Sequence, residues 1–436
     1  MKKDNDKSSD NIWFDMTDMM SWRGHFTGIQ RVSYEHAKRF VSSGAHIFIY
    51  DYVDERFIEI PFSVIEDRIQ SHHDEEAEPK SILRKIRSVV GAPYYVLPKG
   101  VKNVLRPLVQ VANKTVRSIV DKTVKGRIPI SGYRDYPEVT FSKGDKVILM
   151  GAGWNESAVL HSLAEIKASL GIEIIHHLND ILPIYQPQLF ADELPKIFRP
   201  YIDEVIRVAD KISVISEATK RDVLIYCKEN SLPAPVIEFI QLGEDVKTIQ
   251  PKRPKELNAE ERFIFALGTV EVRKNYILLY QAVKLAQLED KELPKIVIAG
   301  RKGWLSSDLL HLISHDPYTK DHIVWLSDVN DETLAWLYKN CLFTVFPSLC
   351  EGWGLPVVES LQYGKFALVS GISSMLETGK GFVDYFLPYD ARECLAKIEY
   401  YLAEDRFTME NKKIRNGYKV FTWDDSFIRM KSFVDQ

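Results

Sequence analysis

Two glutamates, Glu351 and Glu359, stand seven residues apart in a short segment that also carries Pro356. The apolar run at 342–346 is typical of a buried strand, and Pro356 suits the first position of a helix. At such a helix start, free backbone N–H groups and the positive end of the helix dipole attract an anion such as phosphate. The two carboxylates only accept hydrogen bonds, so they suit the hydroxyl groups of a diol. A phosphate next to diols indicates a sugar nucleotide.

Two adjacent cations, Arg273 and Lys274, follow a predicted strand at 263–267 and open a predicted helix. Because phosphate is compact and strongly anionic, a pair of cations at a strand-to-helix turn fits the neutralisation of a diphosphate. Asp180 lies in a similar place, since it follows a predicted strand at 172–176. Ligands of open parallel sheets lie beyond the carboxyl ends of the strands, so Asp180 is a further candidate.

The elements around these residues alternate between strand, loop and helix, which predicts parallel sheets covered by helices. A chain of 436 residues with 45% hydrophobic residues supplies two cores, so two domains are expected. The first is predicted at 1–250, the second at 251–410, with a terminal helix at 411–436. A polar, proline-bearing linker at 251–255 marks the boundary.

The glutamate pair, with Gly-Leu-Pro at 354–356 between its members and Phe-Pro-Ser at 346–348 before them, resembles the donor site of family 4 retaining glycosyltransferases. These enzymes, also described as glycosyl transferases group 1, have the GT-B fold. The resemblance covers nearly the whole chain except about residues 55–140. It implies two facing Rossmann-like domains with a deep interdomain cleft, and a terminal helix that crosses back to the first domain.

Further segments agree with the resemblance. Gly28 matches the glycine loop that lies over the diphosphate and sugar, and Lys274 aligns with the diphosphate lysine. The arginine that many members place after a glycine is Thr269 here, so Arg273 is expected to compensate. Asp180 matches an aspartate that faces the cleft. Members often carry a histidine before it, so His177 is either a substitute for that histidine or a cap at the strand end.

The resemblance also implies roles. Glu351 is expected to bind hydroxyl groups of the donor sugar, and Glu359 the ribose diol. Arg273 and Lys274 are expected to hold the diphosphate together with the helix start at Gly354, Leu355 and Pro356, where the backbone N–H groups of Gly354 and Leu355 can donate. The donor substrate is a nucleotide sugar, no separate cofactor is expected, and no metal is needed because the two cations supply the positive charge.

Segments at 28–32 and 269–275 resemble mannosyl- or rhamnosyl-type transferases of bacterial surface polysaccharides such as O-antigen. They imply transfer of mannose from GDP-mannose to a growing lipid-linked glycan. The alternatives are another donor, such as GDP-rhamnose or a UDP- or dTDP-sugar, and a non-catalytic sugar-binding subunit of a polysaccharide assembly complex. A nucleotide-dependent oxidoreductase is disfavoured because no Gly-x-Gly-x-x-Gly with a downstream acid follows the first strand.

Composition bears on the location of the protein. The formal net charge of -4 does not indicate a nucleic-acid binder, and the four scattered cysteines are typical of a reduced cytosolic chain. The first ten residues lack an apolar core of a signal peptide, and no run is long enough to span a bilayer. A cytoplasmic protein is therefore expected.

A basic segment interrupts the first predicted domain within an insertion at about 72–130. Residues 80–127 contain twelve Lys or Arg and one acid, and apolar residues recur there at helical spacing. Such amphipathic basic helices suit an anionic membrane, which places the protein at the periphery of the cytoplasmic face of the inner membrane. The alternative is a helical insertion packed on the first domain with solvated charges, or a contact with a protein partner in polysaccharide assembly. RNA binding is disfavoured because aromatic residues are nearly absent.

Overall fold

The computed structural model describes residues 11–22, 28–52, 54–71, 133, 135–155, 157–246, 249–379 and 381–436. The strands are β1 Ile12–Asp15, β2 His46–Asp51, β3 Arg56–Glu59, β4 Lys146–Leu149, β5 Glu173–Leu178, β6 Lys211–Val214, β7 Val236–Phe239, β8 Phe263–Leu267, β9 Lys295–Ala299, β10 Ile323–Leu326, β11 Thr344–Phe346, β12 Ala367–Ser370 and β13 Val383–Phe386. The α-helices are α1 Thr17–Ser21, α2 Gly28–Ser42, α3 Phe62–Ser71, α4 Ser157–Leu170, α5 Leu182–Tyr185, α6 Glu193–Val208, α7 Glu217–Glu229, α8 Tyr276–Leu288, α9 Ser307–His315, α10 Asp331–Asn340, α11 Leu355–Gln362, α12 Ala391–Leu402, α13 Arg406–Gly417 and α14 Trp423–Asp435.

The first sheet has the strand order β3-β2-β1-β4-β5-β6-β7. Strand β1 pairs in parallel with β2 and β4, and β4 pairs in parallel with β5. The short strand β3 instead returns antiparallel along β2. The central strands are buried on both faces, which explains their continuous apolar sequences.

The second sheet has the order β10-β9-β8-β11-β12-β13, and all of its strands are parallel. The chain moves outward from β8 to β10 and then returns to start again at β11 beside β8. In open α/β sheets, ligands bind outside the carboxyl ends of the strands at such a reversal of strand order. The loops that follow β8 and β11 are therefore the natural place for a site.

The α/β class with two Rossmann-like sheets is confirmed. The predicted bounds of β8 agree with the structure. Strand β5 runs on to Leu178, so His177 lies within a strand and does not cap its end. Helix α11 begins at Leu355, which makes Pro356 its second residue. The strands and α-helices that the sequence did not predict are β3, β13, α1, α3, α5 and α13, most of them short.

By internal contacts, the chain divides into residues 1–177 with 207–211 and residues 178–206 with 212–436. Buried side chains of the second sheet and its helices form the main core of the second unit, with Phe343, Phe366 and Ile398 among the members that are almost fully buried. The predicted basic insertion at 72–130 lies outside the described residues. Within the described ranges, no helix is both long and apolar enough to cross a membrane.

Candidate active site

The loop after β8 carries the two cations on a tight 3₁₀ turn at Val272–Lys274. Asn275 ends this turn in the left-handed region, with φ of 56°, and helix α8 begins directly after it. The Asn275 side-chain amide donates to the carbonyl oxygens of Pro347 at 2.9 Å and Pro388 at 2.7 Å. One buried amide therefore joins the loops that follow β8, β11 and β13.

The loop after β11 carries Glu351, and its backbone carbonyl oxygens accept hydrogen bonds from two hydroxyl groups. Ser374 donates its hydroxyl to the carbonyl of Glu351 at 2.6 Å, and Thr378 donates to the carbonyl of Trp353 at 2.5 Å. Gly354 precedes α11 with φ of 106°, a conformation that L side chains rarely adopt. A Cβ at this position would lie only 2.9 Å from the Met375 sulfur, so the tight turn into α11 requires glycine.

The carboxylate of Glu351 lies between the two cations. Nη1 of Arg273 donates to Oε2 of Glu351 at 2.6 Å, and Nζ of Lys274 donates to Oε1 at 2.6 Å. The Ser348 hydroxyl donates to the same Oε1 at 2.7 Å. The three charged side chains are between 10% and 17% exposed, so their attraction is only weakly screened by water.

These charges dominate the ionisation of Glu351. Burial alone would raise its pKa, but Arg273 and Lys274 outweigh burial and lower the pKa to about 2. Glu351 is therefore ionised at neutral pH. For Arg273, burial acts to lower the pKa, but the charges of Glu351 and Glu271 outweigh burial and raise the pKa above its ordinary value. The guanidinium therefore keeps its charge.

Glu271 is a site residue that the sequence did not single out. Its Oε1 accepts from Nε of Arg273 at 3.0 Å and from Nη2 at 2.6 Å, and its side chain is 3% exposed. Burial raises the pKa of Glu271, and the charges of Arg273 and Lys274 oppose that effect. The signal was present in the sequence as an acid two residues before Arg273, but spacing alone did not show that the two side chains fold onto each other.

Asp180 lies against the same loop. Its Oδ2 is 3.0 Å from the position that a Cβ on Gly352 would occupy, so glycine is needed there to let the two segments meet. Oδ1 accepts from the backbone N–H of Leu182 at 3.0 Å. Burial raises the pKa of Asp180, and the nearby charge of Arg273 opposes that rise. The structure thus brings Asp180, Arg273 and Glu351 together although they are far apart in sequence.

Glu359 lies on helix α11. The Tyr338 hydroxyl is 3.2 Å from its Oε2 and 3.1 Å from the carbonyl of Pro356. Burial, together with the charge of Glu359, raises the pKa of Tyr338 well above its ordinary value. The two glutamates of the motif therefore have different surroundings, one among cations and one beside a phenol.

Gly28 is the exposed first residue of helix α2, in the first contact unit. The carboxylate of Asp18, in the same unit, accepts from the backbone N–H of Ala152 at 3.0 Å, and burial raises its pKa. Asp18 follows β1 and Ala152 follows β4, which are the neighbouring strands at which the order of the first sheet reverses. Asp18 was not predicted as a site residue, because a lone aspartate in a helical segment carries no sequence signal.

Three buried histidines form a separate group in the first unit: His36, His176 and His177. Burial lowers the pKa of His36 and His176 to about 3 and that of His177 to about 4. They are thus neutral side chains of the interior at neutral pH. In the described part of the chain, no group of His, Cys, Asp or Glu has the arrangement of a metal site.

The chain is similar in sequence to known glycosyltransferases. Residues 248–420 match the family of glycosyl transferases group 1. The serotype-specific mannosyltransferase WbdA of Escherichia coli is 24% identical over 278 residues, 61% of this chain and 34% of WbdA. The O-antigen chain mannosyltransferase B of Escherichia coli is 32% identical over 119 residues, 27% of this chain and 31% of that protein. The chain thus spans about a third of the length of these curated relatives.

Among solved structures, sucrose-phosphate synthase from Thermosynechococcus elongatus superposes with a TM-score of 0.62. The two chains are 16% identical, and the match covers 98% of each. This likeness, together with two Rossmann-like sheets, defines the GT-B fold. The segment at 248–420, which holds Arg273, Lys274 and both motif glutamates, matches the glycosyl transferases group 1, so the family resemblance recognised in the sequence is confirmed.

Proposed function

We propose that the protein is a retaining, metal-independent hexosyltransferase that moves mannose from GDP-mannose to a growing lipid-linked polysaccharide of the bacterial surface. The observation that carries this proposal is the buried cluster of Arg273, Lys274 and Glu351 at the reversal of strand order. Membership of residues 248–420 in a glycosyltransferase family supports glycosyl transfer. Both Escherichia coli relatives are named as mannosyltransferases, which supports mannose as the sugar.

In the reaction, the bond between the sugar C1 and the diphosphate oxygen breaks, a bond from C1 to an acceptor hydroxyl oxygen forms, and the acceptor proton is released. Negative charge grows on the departing nucleoside diphosphate while the sugar becomes oxocarbenium-like. Fixed positive charge near the diphosphate therefore lowers the barrier. Lys274 and Arg273 supply that charge, assisted by the backbone N–H groups of Gly354 and Leu355 at the start of helix α11.

The remaining groups bind and orient the donor. Glu351 accepts hydrogen bonds from hydroxyl groups of the sugar, and Glu359 accepts from the ribose diol, since an ionised carboxylate can take two such bonds. Asp180 approaches the sugar from the side of residues 178–206. The family resemblance assigns Gly28 to a loop that covers the diphosphate and sugar of the donor. A donor with another base or sugar would use the same groups, which keeps GDP-rhamnose, UDP- and dTDP-sugars as alternatives.

The test is a screen of hydrolysis and transfer over GDP-, UDP- and dTDP-sugars, with the wild type, Glu351→Ala and the exposed control Glu260→Ala. We expect turnover with GDP-mannose that is lost in Glu351→Ala and kept in Glu260→Ala and in the presence of EDTA. Nuclear magnetic resonance of the product should show an α-linkage from the α-donor. Absence of turnover with every donor would support the non-catalytic alternative, and full activity of Glu351→Ala would refute the site.

Membrane attachment through residues 80–127 is a separate proposal that rests on the sequence of that segment. Each basic residue near an anionic bilayer contributes about 1 kcal/mol of binding free energy. We expect the full chain to float with liposomes that contain anionic lipid at low salt. Equal flotation of a chain that lacks residues 80–127 would refute the role of this segment.

A further inference from the structure

Most of the N–H groups of the Arg273 side chain donate hydrogen bonds to acceptors within the protein. A guanidinium has five N–H groups. Nε and one N–H of Nη2 donate to Glu271, and both N–H groups of Nη1 are used by the Cys350 carbonyl at 3.1 Å and by Glu351 at 2.6 Å. One N–H of Nη2 is left for a ligand. Arg273 is thus fixed between two carboxylates, and its main contact is with the protein itself.

Lys274 is in the opposite situation. Its ammonium has three N–H donors, and one of them is used by Oε1 of Glu351. A lysine side chain is also flexible, with rotatable bonds that let the ammonium change partner without moving the backbone. Of the two cations, Lys274 is therefore the one that can turn to a diphosphate.

The carboxylate of Glu351 can accept few further hydrogen bonds. Oε1 accepts from Lys274 at 2.6 Å and from Ser348 at 2.7 Å, which uses both lone pairs of that oxygen. Oε2 accepts from Arg273 and has room for one further donor. Glu351 can therefore accept a second hydroxyl of a sugar only after Oε1 loses one of its partners.

We propose that the donor diphosphate and Glu351 compete for Lys274, while Arg273 stays in place and holds Glu351. This inference rests on the proposed function of the site. Binding of the diphosphate draws the ammonium of Lys274 away from Oε1 of Glu351. The same movement frees a lone pair of Oε1 for a hydroxyl of the transferred sugar. The diphosphate and sugar parts of one donor thus assist each other's binding. A nucleoside diphosphate alone breaks the Lys274–Glu351 ion pair but brings no sugar hydroxyl to take the place of Lys274 at Oε1.

The test is calorimetric binding of GDP, UDP, dTDP and inorganic pyrophosphate to the full chain. Glu351→Gln removes the competing charge but keeps the shape of the side chain. We expect it to bind the preferred diphosphate about tenfold more tightly than the wild type, the effect of releasing one charge-assisted hydrogen bond, although it transfers no sugar. Glu260→Gln is the matched control, because Glu260 is an exposed glutamate outside the site, and it should give no tightening.

A double-mutant cycle locates the competition at Lys274. In a Lys274→Met background, the Glu351→Gln change should no longer tighten diphosphate binding. Persistence of the gain in that background would refute Lys274 as the point of exchange. If the Gln variant does not fold, as checked by circular dichroism, Glu351→Asp takes its place, since its shorter side chain withdraws the carboxylate from Lys274 and should also tighten binding.

The outcomes separate this inference from the proposed function. Wild-type binding of a nucleoside diphosphate with equal or weaker binding by Glu351→Gln would overturn the exchange and leave glycosyl transfer intact. Absence of binding of all four probes by the wild type and by the Gln variant would overturn both.

Discussion

The side chain of Asn275 is predicted to be a main support of the site. Its amide nitrogen donates to two buried carbonyl oxygens, those of Pro347 and Pro388. Replacement by alanine leaves both oxygens without this donor, at about 1–3 kcal/mol each. Asn275 also has φ of 56°, where asparagine is tolerated but alanine costs about 1 kcal/mol more. Together, Asn275→Ala should lower the free energy of unfolding by about 3–7 kcal/mol.

Two companion variants separate the contributions. Asn275→Gly keeps the left-handed backbone without strain but loses both hydrogen bonds, so it should be about 1 kcal/mol more stable than Asn275→Ala. Asn340→Ala is the matched control, since the Asn340 amide donates to a carbonyl of its own exposed helix end, and it should change stability by less than about 0.5 kcal/mol.

The assay is urea denaturation followed by tryptophan fluorescence, with donor affinity measured in parallel. Because Asn275 joins the loops that hold Lys274 and Glu351, its loss should also weaken donor binding in variants that remain folded. Unfolding of Asn275→Gly at the same urea concentration as the wild type would refute the two hydrogen bonds as stabilising contacts. Equal stability of the Gly and Ala variants would refute the contribution of backbone conformation.

Two further predictions concern pH and a helix start. The histidines with lowered pKa are His36, His176 and His177. These histidines bind protons below about pH 6.5 in the unfolded chain, but only at about pH 4 or lower in the folded chain. Their contribution to the free energy of unfolding is therefore complete above pH 6.5 and falls as the pH drops. At pH 5.5 the loss is about 1.4 kcal/mol per histidine. Urea titrations at pH 7.5 and 5.5 should show a smaller loss in His36→Gln, and an unchanged loss would contradict the prediction. The carboxylate of Glu377 accepts from the backbone N–H groups of Glu217 and Ala218, both at 2.8 Å, at the start of α7. Glu377→Ala should therefore lower the free energy of unfolding by about 1 kcal/mol, against no change in the exposed control Glu260→Ala, and equal stability of both variants would argue against this cap.

Much of the fold could be predicted because its signals are local. Strand β8 of the second sheet is a continuous apolar run that ends at a glycine turn, and it was predicted at its observed bounds. The elements that were not predicted include β3, which pairs antiparallel along the edge of its sheet, and α13, whose sequence is largely polar. Short edge strands and polar helices depend on tertiary packing more than on a pattern of their own.

The sequence by itself determined which residue types lie at the site: two cations after β8, and two glutamates that flank a glycine-proline turn after β11. These follow from motif spacing and from the strand-to-helix turns that spacing predicts. The sequence could not determine which glutamate meets the cations. Glu351 and Glu359 belong to one motif, yet the loop brings Glu351 to Lys274, 77 residues away, and the helix brings Glu359 to Tyr338, 21 residues away. Only the parallel order of the strands, which places β8 beside β11, decides these contacts, because side-chain partners at such separations are set by sheet topology.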